Sequence, residues 1–218
     1  MYCKKKGEAE NHFRVGKLKL FIMKKNFTIL CAMLLSVGVF AQAQFGATAG
    51  LNMANVVGED METDMKMGMH VGVSAAFELS DAMTLKTGAL YSTKGAEDSE
   101  DGIKVSMNLS YIEIPLNLSF AISDQMSLMV GPYIGLLMGA EAEISGTGGL
   151  FDGTIDMKDD TNAMDFGVNL GAGFAVAEAI SINAGYQMGL MPIDSEGDGD
   201  AKNSNIHIGL TYNFGGGY

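Results

Sequence analysis

Asn205-Ile206-His207-Ile208-Gly209-Leu210-Thr211-Tyr212-Asn213-Phe214 alternates without a break. Ile206, Ile208, Leu210, Tyr212 and Phe214 share one parity; His207, Gly209, Thr211 and Asn213 share the other. Successive side chains of a strand point to opposite faces, so the stretch predicts a two-sided strand. One of its faces is apolar and the other is small or polar.

Upstream the same pattern recurs over 45–56, 67–79, 83–94, 104–122, 126–142, 164–176 and 180–190. Ser80-Asp81-Ala82, Ser123-Asp124-Gln125 and Ala177-Glu178-Ala179 are tight connections. Long ones lie between them at 57–66, 95–103, 143–163 and 191–204. Short turns at one end and long loops at the other predict an all-β, eight-stranded antiparallel up-and-down transmembrane β-barrel. The short turns and both ends of the barrel domain are then expected in the periplasm.

Alternation alone fits a soluble lipocalin-like barrel as well as a membrane one. Three observations favour the membrane. The second face is rich in glycine, from Gly46 and Gly50 through Gly131 and Gly135 to Gly185 and Gly209, which suits a narrow packed interior. Phe45, Phe77, Phe120, Phe174 and Phe214 fall on the apolar face at the short-turn end; Tyr91, Phe166 and Tyr186 fall on it toward the other. Two such girdles flank the apolar band of a barrel in a bilayer. Finally, the strand charges Glu78, Lys86, Lys94, Glu113, Glu141 and Asp165 all have inward parity. A Lys or Arg facing lipid at the midplane would cost about 2–4 kcal/mol. One strand breaks phase: Val105, Met107 and Leu109 have one parity, Ile112 to Phe120 the other. A bulge near Ser110–Tyr111 is expected to restore the facing.

The N-terminus carries an export signal. Met23-Lys24-Lys25 begins a basic segment, 27–40 is apolar, and Ala41-Gln42-Ala43 places small residues before a cleavage expected ahead of Gln44. Residues 23–43 are thus expected to be a signal peptide, 1–22 an unstructured or mis-assigned extension with Met23 the expected initiator, and 44–218 the barrel domain. The apolar run is short of the roughly 20 residues of a membrane helix. Without 1–43 the chain has six basic and 24 acidic residues, a net charge of −18, and no cysteine. That excludes disulfides and thiolate chemistry and disfavours nucleic acid. Seventeen of the 24 acids fall in the long connections, which are expected to stay solvated and mobile.

Several segments resemble the PorT-family outer-membrane β-barrel domain: Phe45-Gly46-Ala47-Thr48-Ala49-Gly50-Leu51-Asn52, Leu90-Tyr91-Ser92-Thr93-Lys94-Gly95, Tyr111-Ile112-Glu113-Ile114-Pro115-Leu116 and Gly131-Pro132-Tyr133-Ile134-Gly135. The resemblance runs over 45–214 and implies an eight-stranded barrel, with a role in protein secretion for some members. His207, Gly209, Tyr212 and Phe214 resemble the C-terminal signal read by barrel-assembly machinery, although 215–218 follow here.

Candidate chemistry is sparse. Glu78, Lys86, Lys94 and Glu113 are expected to form an interior polar network that fills the barrel. His70 and His207 point inward on strands that flank the first, but no serine is visibly matched to either, as a lipid-modifying enzyme would need. Asp194, Glu196, Asp198 and Asp200 space their acids like a calcium loop, yet Asn205 stands where an EF-hand has its bidentate Glu. A solvated acidic loop is expected there, without metal or cofactor. The methionines, Met53, Met67, Met69, Met107 and Met188 among them, are expected to be lipid-facing bulk. The expected function is a non-enzymatic outer-membrane platform, or an accessory to envelope assembly or secretion. A lipid-modifying barrel enzyme and a soluble carrier are the alternatives. Its expected partners are outer-membrane lipids, barrel-assembly machinery, and secretion or envelope proteins.

Overall fold

A computed structural model describes residues 43–58, 63–100, 103–146, 152–195 and 200–215. The expected extension and the export signal up to residue 42 lie outside them, as do Glu196 and Asp198. Eight strands close a ring by antiparallel pairing of neighbours. They are β1 (Ala43–Val57), β2 (Asp64–Ser80), β3 (Met83–Glu100), β4 (Ile103–Ala121), β5 (Met126–Gly146), β7 (Met164–Ala177), β8 (Ile180–Gly189) and β9 (Lys202–Asn213). A short extra strand, β6 (Gly153–Asp156), pairs only with β5 among these elements.

The alternation seen in the sequence decides the two faces. Leu51, Val73, Leu128, Leu170, Ile208 and Leu210 all stand exposed on the outside. Moving one such side chain from water into hydrocarbon is worth about 1.5–3 kcal/mol, so this belt needs lipid. Phe45, Phe120, Phe174 and Phe214 are exposed at the short-turn end. Tyr91 and Tyr186 stand on the outer face toward the long-loop end. The Tyr91 hydroxyl donates to Ser110 Oγ at 3.1 Å, and Ser204 Oγ donates to the Tyr186 hydroxyl at 3.0 Å.

Two expectations fail at the long-loop end. Residues 95–103 are not a loop. β3 and β4 continue as a paired hairpin, with only residues 101–102 between them. Acids break the apolar alternation there, but a strand standing in water tolerates them: Glu97 pairs with Lys104 at 2.7 Å across the two strands. β3, β4 and β5 run to 18, 19 and 21 residues. A tilted transmembrane strand needs about 9–11, so these three extend well past the belt.

The second failure concerns the bulge. The register does shift opposite Ser110–Tyr111, but the extra residue is Met138 of β5, since Ser110 pairs with Gly139 and Tyr111 with Leu137. β4 keeps its facing throughout. Leu109 therefore points inward and is completely buried beside Tyr111. What changes along β4 is the surroundings. Below Ser110 its inward residues are Tyr111, Glu113, Pro115, Asn117 and Ser119; above, they are Leu109, Met107 and Val105. In β5 the bulge flips the strand, so Ala140 turns inward and Glu141 and Glu143 turn out. Above this level the sheet is apolar inside and polar outside, the reverse of the belt. Gly95 sits at the transition with φ 140°, and a side chain there would strike the Met107 carbonyl.

Candidate functional site

The lumen is filled in layers. At the long-loop end Val56, Ala96, Leu109, Tyr111, Ala140 and Ile193 form an apolar plug. Ile193 comes from the connection after β8, so that connection is not wholly solvated. Its backbone pairs with the segment before β7: Asn162 N donates to the Ile193 carbonyl at 2.6 Å, and Ser195 N to the Asp160 carbonyl at 2.9 Å. Asp194 bridges Thr161 in the same ladder.

Under the plug lies a charged layer. Lys94 Nζ is 2.8 Å from Glu113 Oε2 and 3.5 Å from Asp165 Oδ2, with all three residues almost wholly buried. The ammonium also stands 4.3 Å from the ring centre of Tyr133 and 5.8 Å from that of Tyr111. One cation thus serves two carboxylates, and each also accepts from a neutral donor: Asp165 on the oxygen nearer the ammonium, Glu113 on its other oxygen. The Tyr133 hydroxyl donates to Asp165 Oδ2 at 3.2 Å, and Gln187 Nε2 donates to Glu113 Oε1 at 2.5 Å. Asn205 supports Gln187 in turn, its Nδ2 donating to Oε1 at 2.9 Å. Glycine makes room for the rings: a Cβ on Gly167 would come within 2.6 Å of Tyr133.

Of the four residues expected to form the interior network, Lys94 and Glu113 meet, and Asp165 joins them. Glu78 and Lys86 do not. Glu78 is exposed at the short-turn end, where Gln44 Nε2 reaches it at 3.4 Å. Lys86 lies eight positions before Lys94 on the same strand, about 26 Å along it at 3.3 Å per residue. It lines a cavity in the lower barrel.

The two histidines form the next layer. Their rings meet edge to face at 6.0 Å. His70 is seated over two glycines, since a Cβ on Gly50 would lie 2.5 Å from its Cε1 and one on Gly209 2.6 Å from its Nε2. Gly209, expected as part of an assembly signal, therefore also has a local steric role. His70 Nδ1 is 2.9 Å from Asn52 Oδ1. Asn52 Nδ2 donates to Ser92 Oγ at 3.0 Å and to the Thr93 carbonyl at 2.9 Å. A serine does therefore stand opposite His70, paired with it in the β2–β3 register. Counting straight back from the tight turn at 81–82 would have paired His70 with Thr93; the irregularity between Glu78 and Ser80 brings Ser92 opposite it instead. The order His70–Asn52–Ser92 leaves the serine hydroxyl as an acceptor from an amide, not as a donor to an imidazole base. Below, a cavity of about 120 Å³ is lined by amides and hydroxyls together with Leu90, Pro115 and Met129. Within it Asn169 donates to Asn117 at 3.0 Å and Asn183 to Thr211 at 3.1 Å.

Among the described residues, no three His, Cys, Asp or Glu side chains gather as a metal site. Asp194 and Asp200 of the expected acidic loop are described. Tyr212 and Phe214 face outward, exposed, with rings 5.9 Å apart, and Phe214 N donates to the Phe45 carbonyl at 2.7 Å. Met107 and Met157 pack against the apolar plug, whereas Met53, Met67 and Met69 are exposed on the belt.

Comparison with known proteins agrees with this geometry. Residues 40–195 match the model of the outer membrane protein beta-barrel domain. The fold is similar to that of Neisserial surface protein A, with a TM-score of 0.53 and 16% identity over 79% of this chain and 99% of that one. Ail, the attachment invasion locus protein of Yersinia pestis, solved with the heparin analogue sucrose octasulfate, gives 0.47 at 18% identity over 79% and 99%. The N-terminal β-barrel domain of Pseudomonas aeruginosa OprF gives 0.39 at 16% identity over 79% and 100%. At such identities the likeness is one of fold. No curated protein sequence matches the chain. The exposed apolar belt and the family together set aside the soluble carrier and place the barrel in a bacterial outer membrane. With the match extending over most of its length, this chain belongs to the outer membrane protein beta-barrel domain family.

Proposed function

We propose that this protein is a non-enzymatic recognition platform, serving envelope assembly or protein secretion as an accessory. The observation that carries this reading is a contrast within one barrel. The lumen is blocked by Lys94, Glu113 and Asp165 beneath an apolar plug, while β3, β4 and β5 continue beyond the belt as an aqueous sheet. A packed lumen offers no route for solutes. The resources of the fold go instead into what stands outside the bilayer. The PorT-like segments of 45–214 support the accessory role. The long-loop end faces the cell exterior, as in outer-membrane barrels generally.

Against a lipid-modifying enzyme stands the placement of His70, Asn52 and Ser92 inside the lumen, away from the belt where acyl chains run. Knockout and complementation test the proposal. Envelope lipids and surface proteins are profiled after return of the wild type, of His70→Gln with His207→Gln, or of barrels trimmed in 143–163 or 191–204. The platform reading expects the histidine variant to complement and the trimmed barrels to fail. Lipid turnover lost in the histidine variant, with the barrel folded, would put the enzyme first. Orientation is tested separately: a tag near Gly148 is expected to be labelled by antibody on intact cells, and one at Asp124 is not.

A further inference from the structure

The reversal of faces above Ser110 and Met138 leaves an apolar surface turned toward the barrel axis, above the belt. A groove of about 270 Å³ opens there between the ends of β1, β3 and β4 and the connections after β6 and β8. Val56, Met107, Met157 and Ile193 make its apolar lining. The same face continues upward on β4 and β6, where Ile103, Val105 and Ile155 are 51%, 43% and 56% exposed. Register puts them together: Val105 pairs with Ile144, Met107 with Ala142, and Ala142 with Ile155. Lipid does not explain this surface. In the belt it is the outward residues that are apolar, and here the exposed outward residues are Lys104, Glu141 and Glu143.

The groove has a charge as well as a shape. Among the described residues, every charged one lining it is acidic: Glu97, Asp98, Asp160 and Asp194. Glu97 is engaged by Lys104 on the outer face. β6 ends the sheet order among the described residues, and the next residue, Met157, lines the groove. An extended backbone lying in the groove could therefore continue along the open edge of β6.

We propose that this groove docks a basic amphipathic peptide segment, with aliphatic side chains against Met107, Met157 and Ile193 and lysine or arginine against Asp98 and Asp160. The acids select the sign of the partner, and the apolar lining selects a chain that carries aliphatic residues between its basic ones. This rests on the platform reading and names the partner class for it.

The test uses the full barrel in phosphatidylcholine nanodiscs with 13C-methyl methionine. The probes are acetyl-Lys-Leu-Val-Leu-Lys-amide and its counterpart with glutamate in place of lysine. The lysine peptide is expected to shift the Met107 and Met157 methyl signals saturably and to leave Met53 and Met67 on the belt unmoved. Asp98→Asn with Asp160→Asn is expected to weaken the effect about five- to tenfold, as for loss of two partly exposed ion pairs. Added salt is expected to weaken it in the wild type. Equal shifts with the glutamate peptide would overturn the charge selection. Shifts confined to Met53 and Met67 would mean partition into lipid and overturn the docking site. No shift at all would mean that the groove is filled by the chain itself, which also overturns it. Failure here, while trimmed barrels still fail to complement, removes this partner class and leaves the platform reading standing. If trimmed barrels complement fully, the platform reading falls, whatever the peptide does.

Discussion

Below the level of Tyr91 and Ser110 the sheet is apolar outside and polar inside; above it, the same strands are polar outside and apolar inside. β4 makes the change without altering its facing, because its sequence changes instead: Ile112, Ile114 and Leu116 face out below, and Lys104 and Asn108 above. β5 makes it by inserting Met138 and turning over. Two strands reach one result by different local means. The common cause is the solvent. Hydrocarbon surrounds the lower ring and water the upper sheet, and each apolar side chain goes where water is absent. The height at which the faces exchange therefore marks where the barrel leaves the bilayer.

The comparison can be broken most severely in its lower half. Lys94→Met strands Glu113 and Asp165 without their cation, and removing one partner of a buried pair costs about 3–5 kcal/mol. The expected result is a lower urea midpoint in detergent micelles and less folded barrel. Adding Glu113→Gln and Asp165→Asn to the same chain is expected to restore most of it. An unchanged midpoint for Lys94→Met would show that the layer does not hold the lumen together.

The same substitution placed at two heights tests the exchange of faces directly. Val73→Lys puts an ammonium in the middle of the belt, at an expected cost of about 2–4 kcal/mol. Val105→Lys lies above the girdle in water, where surface changes stay within about 0.5 kcal/mol. Heat-modifiability on gels and urea titration should separate the two variants. Equal losses would place both valines in one environment and abolish the boundary.

Deleting Met138 sharpens the boundary. Without the extra residue Glu141 and Glu143 turn toward the groove and Ala140 turns outward. The outer hairpins are expected to become protease-sensitive, at a cost of about 2 kcal/mol, while the belt portion stays folded. Cleavage within the lower ring would refute the independence of the two halves. The smallest effect is expected at the short-turn rim. Phe214→Ala removes the ring against Tyr212, worth about 1 kcal/mol, and should lower the yield of folded barrel. Deleting 215–218 should change little. If the tail deletion is the more damaging, Tyr218 rather than Phe214 carries the assembly signal.

The ring of eight strands, the inward glycines and the aromatic girdles were legible because they rest on parity, and parity is a local property of the chain. The three tight turns were legible for a similar reason: each is a short polar break between long alternating runs. The hairpin at 95–103 was not. Acids at Glu97, Asp98 and Glu100 look the same in a loop as in a strand that has risen into water. β6 was missed because four residues carry too little pattern.

Residue parity by itself determined that this chain closes a barrel, which face meets lipid, and that Lys94, Glu113 and Asp165 point inward. Tertiary structure alone decided that these three share a layer while Lys86 sits far below. It also decided that Asn52 stands between His70 and Ser92, that Leu109 is plug rather than lipid contact, and that the long-loop end carries an acidic, apolar-lined groove. The physical reason is register. Facing repeats every two residues and can be counted along one strand, but which side chains meet across a lumen depends on the stagger of all eight strands at once, and one inserted residue in β5 resets it for everything above.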